Sequence, residues 1–394
     1  MVGFGGVVTL AVAGVASMFM SWAIGAGSSG STPFAPAVGA NAISVMRAGF
    51  LVGILGLSGA VLQGKNVTEA VGTELIAGNA ELSALAATIA LLLAAGLVAI
   101  GIFTGYPIAT AFTVTGAVIG VGLAMGGDPA WGKYSEIATL WIGTPFVGGG
   151  VAYTVARILR TDTVPNPAAI PLFGAVIGLL LANIQFVFFA PGDQQSSLAQ
   201  TITEVVGGGL VVSVGATVAV GCLTGGLLFS QMQQNETVAQ RRFLLVLGGL
   251  VAFSAGGSQV GLALGPLVPL LGDFDVPIIA VLLGGGLGLL VGSWTGAPRM
   301  IKAISQDYAA LGPNRSIAAL IPSFALAQTA VFFGIPVSFN QIIVSAIVGS
   351  GFAARDGTGE ISARKIAYTI FAWIASLAVA LVLGYVLFTL TTVF

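Results

Sequence analysis

Gly105-Tyr106-Pro107-Ile108-Ala109, leading to Gly116-Ala117-Val118-Ile119-Gly120-Val121-Gly122-Leu123-Ala124, returns later in the chain. The second copy is Gly334-Ile335-Pro336-Val337-Ser338, leading to Ser345-Ala346-Ile347-Val348-Gly349-Ser350-Gly351-Phe352-Ala353, at a constant offset of 229. Ala35-Pro36-Ala37-Val38 faces Gly265-Pro266-Leu267-Val268 at an offset of 230. Two motifs on nearly one spacing mark a duplication, with one repeat over 1–158 and the other over 242–394. Residues 159–241 hold a linker and two extra apolar runs between repeats of five runs each. Five plus two is odd, so the second repeat meets the membrane in the opposite sense. The expected fold is an all-α integral membrane protein with inverted repeats and broken or re-entrant helices, a pattern of secondary transporters.

Composition leads to the same solvent. Of 394 residues, 7% are charged and 56% hydrophobic, against about 25% charged in a soluble domain. Mean hydropathy is +1.03. A globule in water could not hide that much apolar surface, so the lipid bilayer is the expected partner. The 58 glycines suit membrane helices that approach closely. Cys222 is alone, which excludes an intrachain disulfide. Without histidine there is no imidazole metal site or histidine proton relay. No metal, cofactor or nucleic acid is expected.

A spanning helix takes about 20 apolar residues. Twelve candidates stand at 4–25, 44–63, 82–103, 107–126, 136–158, 169–191, 204–230, 242–258, 276–296, 316–333, 335–354 and 366–392. The first lacks a basic n-region and belongs to the repeat, so it reads as a retained span rather than a signal peptide. The stretches 26–41 and 256–271 are apolar yet rich in Gly, Ser and Pro, and read as broken or re-entrant segments. With the N-terminus outside, eleven basic residues fall inside, among them Arg47, Arg157, Arg160, Arg241, Arg355 and Arg364. Only Lys65 and Lys133 fall outside, together with nine acidic residues including Glu74, Glu136, Asp193 and Asp275. That bias sets the orientation and places the chain in the cell membrane.

No acid or base lies mid-span, where a charge costs about 2.5–3.5 kcal/mol or more. An intramembrane hydrolase would need carboxylate pairs or metal ligands, so no enzyme is expected. Neutral donors and helix ends remain. Ser28-Ser29-Gly30-Ser31-Thr32-Pro33 packs four hydroxyls into six residues, with Ser258 and Gln259 in the mirror segment. Pro33, Pro107 and Pro336 read as first-turn residues of helices, with Thr110 after the second, and Ser338, Asn340 and Gln341 after the third. Helix N-termini present free N–H groups and partial positive charge, which suits an anion. The candidate site is therefore Ser28, Ser29, Thr32, Thr110, Ser258, Gln259, Ser338, Asn340 and Gln341. Asn183 and Gln185 read as links between helices, the Gly284–Gly288 run as close packing, and Trp141 and Trp373 as anchors or packing residues.

At these residues the chain resembles the inorganic phosphate transporter (PiT) family over nearly its whole length. That family carries two G-A-N-D-x-A-N-A-x-G-P-like motifs, each followed by a P-V-S-T-T-H-like helix start. The counterparts are Ala26–Pro36 and Gly256–Pro266, then Pro107–Phe112 and Pro336–Gln341, and Leu311–Ser316 matches a family connector. The family's Asn-Asp pair is Ser28-Ser29 in one copy and Ser258-Gln259 in the other, and its later Asn is Thr32 or Leu262. The resemblance implies that those Asp residues serve sodium and phosphate binding. Phosphate keeps a proton that a carboxylate can accept, whereas sulfate has none, and a site built on such a bond discriminates strongly. A site of neutral donors then suits sulfate, and the pattern is similar to the sulfate-permease branch of the family. The expected function is an oxyanion permease, with sulfate favoured and a proton or sodium as coupling ion in a symporter. An inorganic phosphate transporter and a passive anion channel are the alternatives, and a homo-oligomer is compatible with the sequence.

Overall fold

The computed structural model describes residues 4–78, 81–161, 164–186, 189, 195–274, 276–353 and 362–393. Arg355, Asp193 and Asp275 of the charge reading lie outside them. The first part of the chain runs α1 (Phe4–Gly27), α2 (Ala35–Gly39), α3 (Val45–Gln63), α4 (Lys65–Thr73), α5 (Ala84–Thr104), α6 (Thr110–Ala124) and α7 (Trp131–Ile158). Then come α8 (Asn166–Asn183), α9 (Leu198–Val206) and α10 (Gly209–Gln234). The last part runs α11 (Glu236–Leu264), α12 (Val268–Leu271), α13 (Ile278–Thr295), α14 (Ala297–Asp307), α15 (Pro313–Phe332), α16 (Phe339–Phe352) and α17 (Ala363–Val393). Two short antiparallel pairs, 76–77 with 128–129 and 185–186 with 196–197, are the departures from an all-helical chain among the described residues.

Among the described residues, nine helices are long and apolar enough to cross a membrane. The expected runs at 107–126 and 335–354 are shorter helices of 15 and 14 residues. At 1.5 Å per residue they extend about 21–23 Å, less than the ~30 Å hydrocarbon core. Each is cut short because its proline does not sit in the first turn. The chain leaves α5 and α15 through Gly105 and Gly334, at φ +78° and +61°. That left-handed conformation costs glycine nothing. It then stays extended past Pro107 or Pro336 before turning helical. The run expected at 169–191 likewise ends as a helix at Asn183, and 204–230 is divided by Gly207 and Gly208, both at positive φ. The span expected at 242–258 is part of a longer helix, α11, which continues through 256–264 without a break.

The connections that follow α3 and α13 are partly helical. Each carries a short helix, α4 or α14, which buries one apolar side: Val67 and Val71 in the first, Met300, Ile301 and Ile304 in the second.

Packing alternates between the two parts of the chain. The α1 helix lies along α13 and α5, while α11 lies along α3 and α15. Similarly α6 lies along α17, and α16 along α7. Glycine makes the first crossings close. A Cβ on Gly25 or Gly292 would overlap the Leu289 or Trp22 carbonyl oxygen across α1 and α13. On Gly59 or Gly256 it would overlap the Phe253 or Gly56 oxygen across α3 and α11. Such backbone-to-backbone contact is how small residues hold membrane helices together.

Polar contacts sort the connecting segments into two ends. At one, Arg241 Nε donates to Ala42 O, Arg160 Nη1 to Ala353 O, Asn314 Nδ2 to Leu159 O, and Lys365 pairs with Asp307. At the other, Lys133 pairs with Glu74 and Glu136, and Gln63 Nε2 donates to Gln185 O.

Candidate functional site

Every sequence-predicted site residue is at most 4% exposed. Gln259, on α11, stands at the centre. Its Oε1 accepts from Thr110 Oγ1 at 2.8 Å and from Ser28 Oγ at 3.1 Å. Its Nε2 donates to Val337 O. One side chain thus joins the start of α6, the approach to α16 and the turn that ends α1. Asn340 crosses the same gap, with Nδ2 donating to Ile108 O at 2.7 Å and Gly27 O at 3.0 Å. Two carbonyls on one side fix which end of that amide is nitrogen.

Both helix starts are bare. The N-caps of α6 and α16, Ala109 and Ser338, make no side-chain cap hydrogen bond. The first turn of any helix carries N–H groups without intrahelical acceptors. Here those turns sit in the protein interior, where unpaired polar groups cost about 1–3 kcal/mol each. Six buried side-chain polar atoms lack a partner among the described residues, and three belong to the sequence-predicted residues: Ser258 Oγ, Ser338 Oγ and Asn340 Oδ1. Two of them, Ser338 Oγ and Asn340 Oδ1, sit at the uncapped start of α16, so hydrogen-bonding capacity is left unmet there.

The remaining candidates are arranged differently. Ser29 Oγ leans on Ile24 O at 3.4 Å, and Thr32 Oγ1 donates to Ser28 O at 3.0 Å. They shape the turn with their hydroxyls. Gln341 Nε2 donates to Trp141 O at 2.8 Å. The structure therefore joins Ser28, Thr110 and Gln259 into one network, ties Asn340 to the backbone of Gly27 and Ile108, leaves Ser258 and Ser338 unpaired, and turns Ser29, Thr32 and Gln341 to supporting bonds.

Sequence reasoning gave no site role to two tryptophans. Trp141 Nε1 donates to Pro336 O, and Trp373 Nε1 to Pro107 O, each at 2.8 Å. They are buried rather than interfacial, and each holds the proline ahead of a helix start from the other part of the chain. Their positions, 232 apart, nearly share the repeat offset, which was the available signal. A second polar group was also missed. Gln328 Nε2 donates to Ser254 Oγ at 2.6 Å and to Gln63 Oε1 at 3.2 Å. Ser254 is one turn before Ser258 on α11. Asn183 does link helices, bonding Thr217 of α10 at 3.1 Å.

No charged side chain is buried among the described residues, so the cluster is electrically neutral apart from helix dipoles. Nor do the described residues group three metal-binding side chains of the His, Cys, Asp or Glu type. The arrangement can donate hydrogen bonds to an anion and, through Asn340 Oδ1, accept one.

The sequence pattern of the phosphate transporter family matches residues 24–384. A chloroplastic inorganic phosphate transporter of Arabidopsis thaliana is 25% identical, over 93% of this chain and 69% of its own length. A Thermococcus kodakarensis protein, provisionally named a phosphate permease, is 27% identical over 94% of each chain. A solved structure described as the sodium-dependent phosphate transporter covers 98% of this chain and 99% of its own, with a TM-score of 0.82 at 20% identity. That likeness concerns the fold. These names give phosphate, and the sulfate branch expected from the sequence finds no support among them.

Proposed function

The chain belongs to the phosphate transporter family, and from that premise we propose that it is a secondary carrier of inorganic phosphate in the cell membrane. The observation that carries this reading is Asn340 Oδ1, a buried acceptor left without a partner beside two uncapped helix starts. Phosphate carries a proton near neutral pH and can donate it there. Its remaining oxygens accept from Ser258, Ser338 and the first-turn N–H groups of α6 and α16. The proton acceptor that the missing carboxylates would have provided is a neutral amide oxygen here.

The carrier works by alternating access between two inverted repeats, 1–158 and 242–394, around α8 to α10. The interlocked packing of α1 with α13 and α11 with α3 supports that division. The N-terminus lies outside, which puts the Arg160 and Arg241 end in the cytoplasm and the Lys133 end outside. The fold neighbour's sodium dependence suggests sodium as coupling ion, and it would meet carbonyl and hydroxyl oxygens here rather than carboxylates.

Sulfate stands as the second reading, favoured by the absence of any buried carboxylate among the described residues. Uptake into proteoliposomes separates the two. Phosphate uptake that excess sulfate leaves intact supports the phosphate carrier, and sulfate uptake resistant to phosphate overturns it. Trans-stimulation by unlabelled phosphate is expected of a carrier and absent from a channel.

A further inference from the structure

A crevice of about 790 Å³ lies between α7, α16 and α17, and its inner end reaches Phe112 and Gln341 in the first turns of α6 and α16. Its walls are almost wholly apolar, among them Trp141, Phe146, Phe352, Trp373 and Ile374. Phe146 is 75% exposed and Ile374 61%, so the mouth opens sideways onto the lipid-facing surface. Along α7 the lining runs from Ala138 to Tyr153, a length of about 22 Å at 1.5 Å per residue. That is longer than one leaflet's share of the ~30 Å hydrocarbon core.

The crevice differs at its two ends. Near Trp141 and Trp373 it stops among aromatic rings, with Phe112 stacked on Trp141 at 3.8 Å between centroids. The other end reaches the basic end of the bundle. There Arg157 lies over the Tyr153 ring at 5.9 Å, and Arg364 over Tyr368 at 5.5 Å. Tyr153 lines the crevice, and Arg364 is two residues before the lining Ile366. Neither arginine forms an ion pair among the described residues. An apolar slot at membrane depth, ending under two cations at the headgroup level, matches the chemistry of an anionic phospholipid.

The geometry points to a bound anionic glycerophospholipid, with an acyl chain in the crevice and its phosphate at Arg157 and Arg364. The chain packs against Trp141 and Trp373, which hold the prolines ahead of the two helix starts. The lipid therefore braces those starts. That consequence rests on the transport reading, whereas the binding itself does not.

Binding is tested by native mass spectrometry of the purified chain with phosphatidylglycerol and phosphatidylcholine. The wild type is expected to retain one phosphatidylglycerol in preference to phosphatidylcholine. Each cation near an anionic surface strengthens binding enough that Arg157→Gln with Arg364→Gln should cut the preference by about 30-fold. Gly150→Phe should exclude both lipids, since a Cβ there meets open space and the ring would fill the slot. Circular dichroism and size-exclusion chromatography confirm that both variants fold. Equal retention of the two lipids, or unchanged retention in folded Gly150→Phe, overturns the proposal. So does a dimer of protein chains that Gly150→Phe dissolves, because a second copy would then be the occupant. For the bracing, phosphate uptake should run faster in phosphatidylglycerol than in phosphatidylcholine vesicles, and Gly150→Phe should remove the difference. Lipid retention without that difference would reject the bracing while leaving the site.

Discussion

The segments 26–41 and 256–271 carry matching motifs at an offset of 230, yet the first unwinds between Gly27 and Ala35 whereas the second stays helical to Leu264. After Gly27 the first makes tight turns until Ala35. Its hydroxyls bond carbonyls a few residues back, as Ser31 and Thr32 do to Ser28 O. Such local bonds compete with the helix, and Pro33 and Pro36 add to the break. In the second segment the first proline is Pro266, and Val260-Gly261-Leu262-Ala263-Leu264 has no hydroxyl to compete. It stays helical to Leu264 and reaches across with the side chain of Gln259. The same polar cluster is thus approached by bent backbone after α1 and by a long amide on α11.

Gln259→Leu attacks the helical side and should do the most damage. It removes a three-way bridge and strands Thr110, Ser28 and Val337 O. Each buried group left unpaired costs about 1–3 kcal/mol, and with three of them stranded transport should fall more than about a hundredfold. Fluorescence-detected chromatography should show the variant folded, and retained uptake would remove Gln259 from the centre. Gly30→Ala attacks the unwound side. A Cβ there would overlap Gly25 O and Ser293 Oγ. Overpacking of this kind costs about 1–3 kcal/mol, which a thermal-shift assay should detect as a lower Tm.

Ser28→Ala should weaken uptake more than Thr32→Ala. Ser28 bonds Gln259 on α11, whereas Thr32 bonds only its own turn. A neutral hydrogen bond is worth about 1 kcal/mol, so the first should cost about five- to tenfold in apparent affinity. Equal effects would mean that the turn itself, and not the network, is the working part. The smallest effect is expected from pH. With no charged side chain buried among the described residues, uptake between pH 6 and pH 8 should follow the phosphate ion's own titration. A further titration step would point to a group outside the cluster.

Much of this was legible in the chain. The offset of 229 placed Pro107 opposite Pro336, and all nine site residues proved buried. Composition alone pointed to lipid. What escaped was what depends on the third dimension. Nothing in Gly256-Gly257-Ser258-Gln259 announces that it continues a helix, since its glycines tolerate either conformation and are fixed by Gly56 and Gly59 across the crossing. The tryptophan bonds to Pro107 and Pro336 pair residues 266 and 195 positions apart. The preference for sulfate came from looking only for carboxylates. An amide can offer an acceptor too, but which of its atoms stays free depends on the carbonyls of Gly27 and Ile108.

The most direct test is equilibrium binding of phosphate and sulfate to the wild type and to Asn340→Ala. The wild type should prefer phosphate by about a hundredfold, the order expected when a buried polar atom is left unpaired by the wrong ligand. Asn340→Ala should bring the two affinities close together by weakening phosphate alone. Tighter sulfate binding by the wild type, or an unchanged ratio in the variant, would contradict the role given to Asn340 Oδ1.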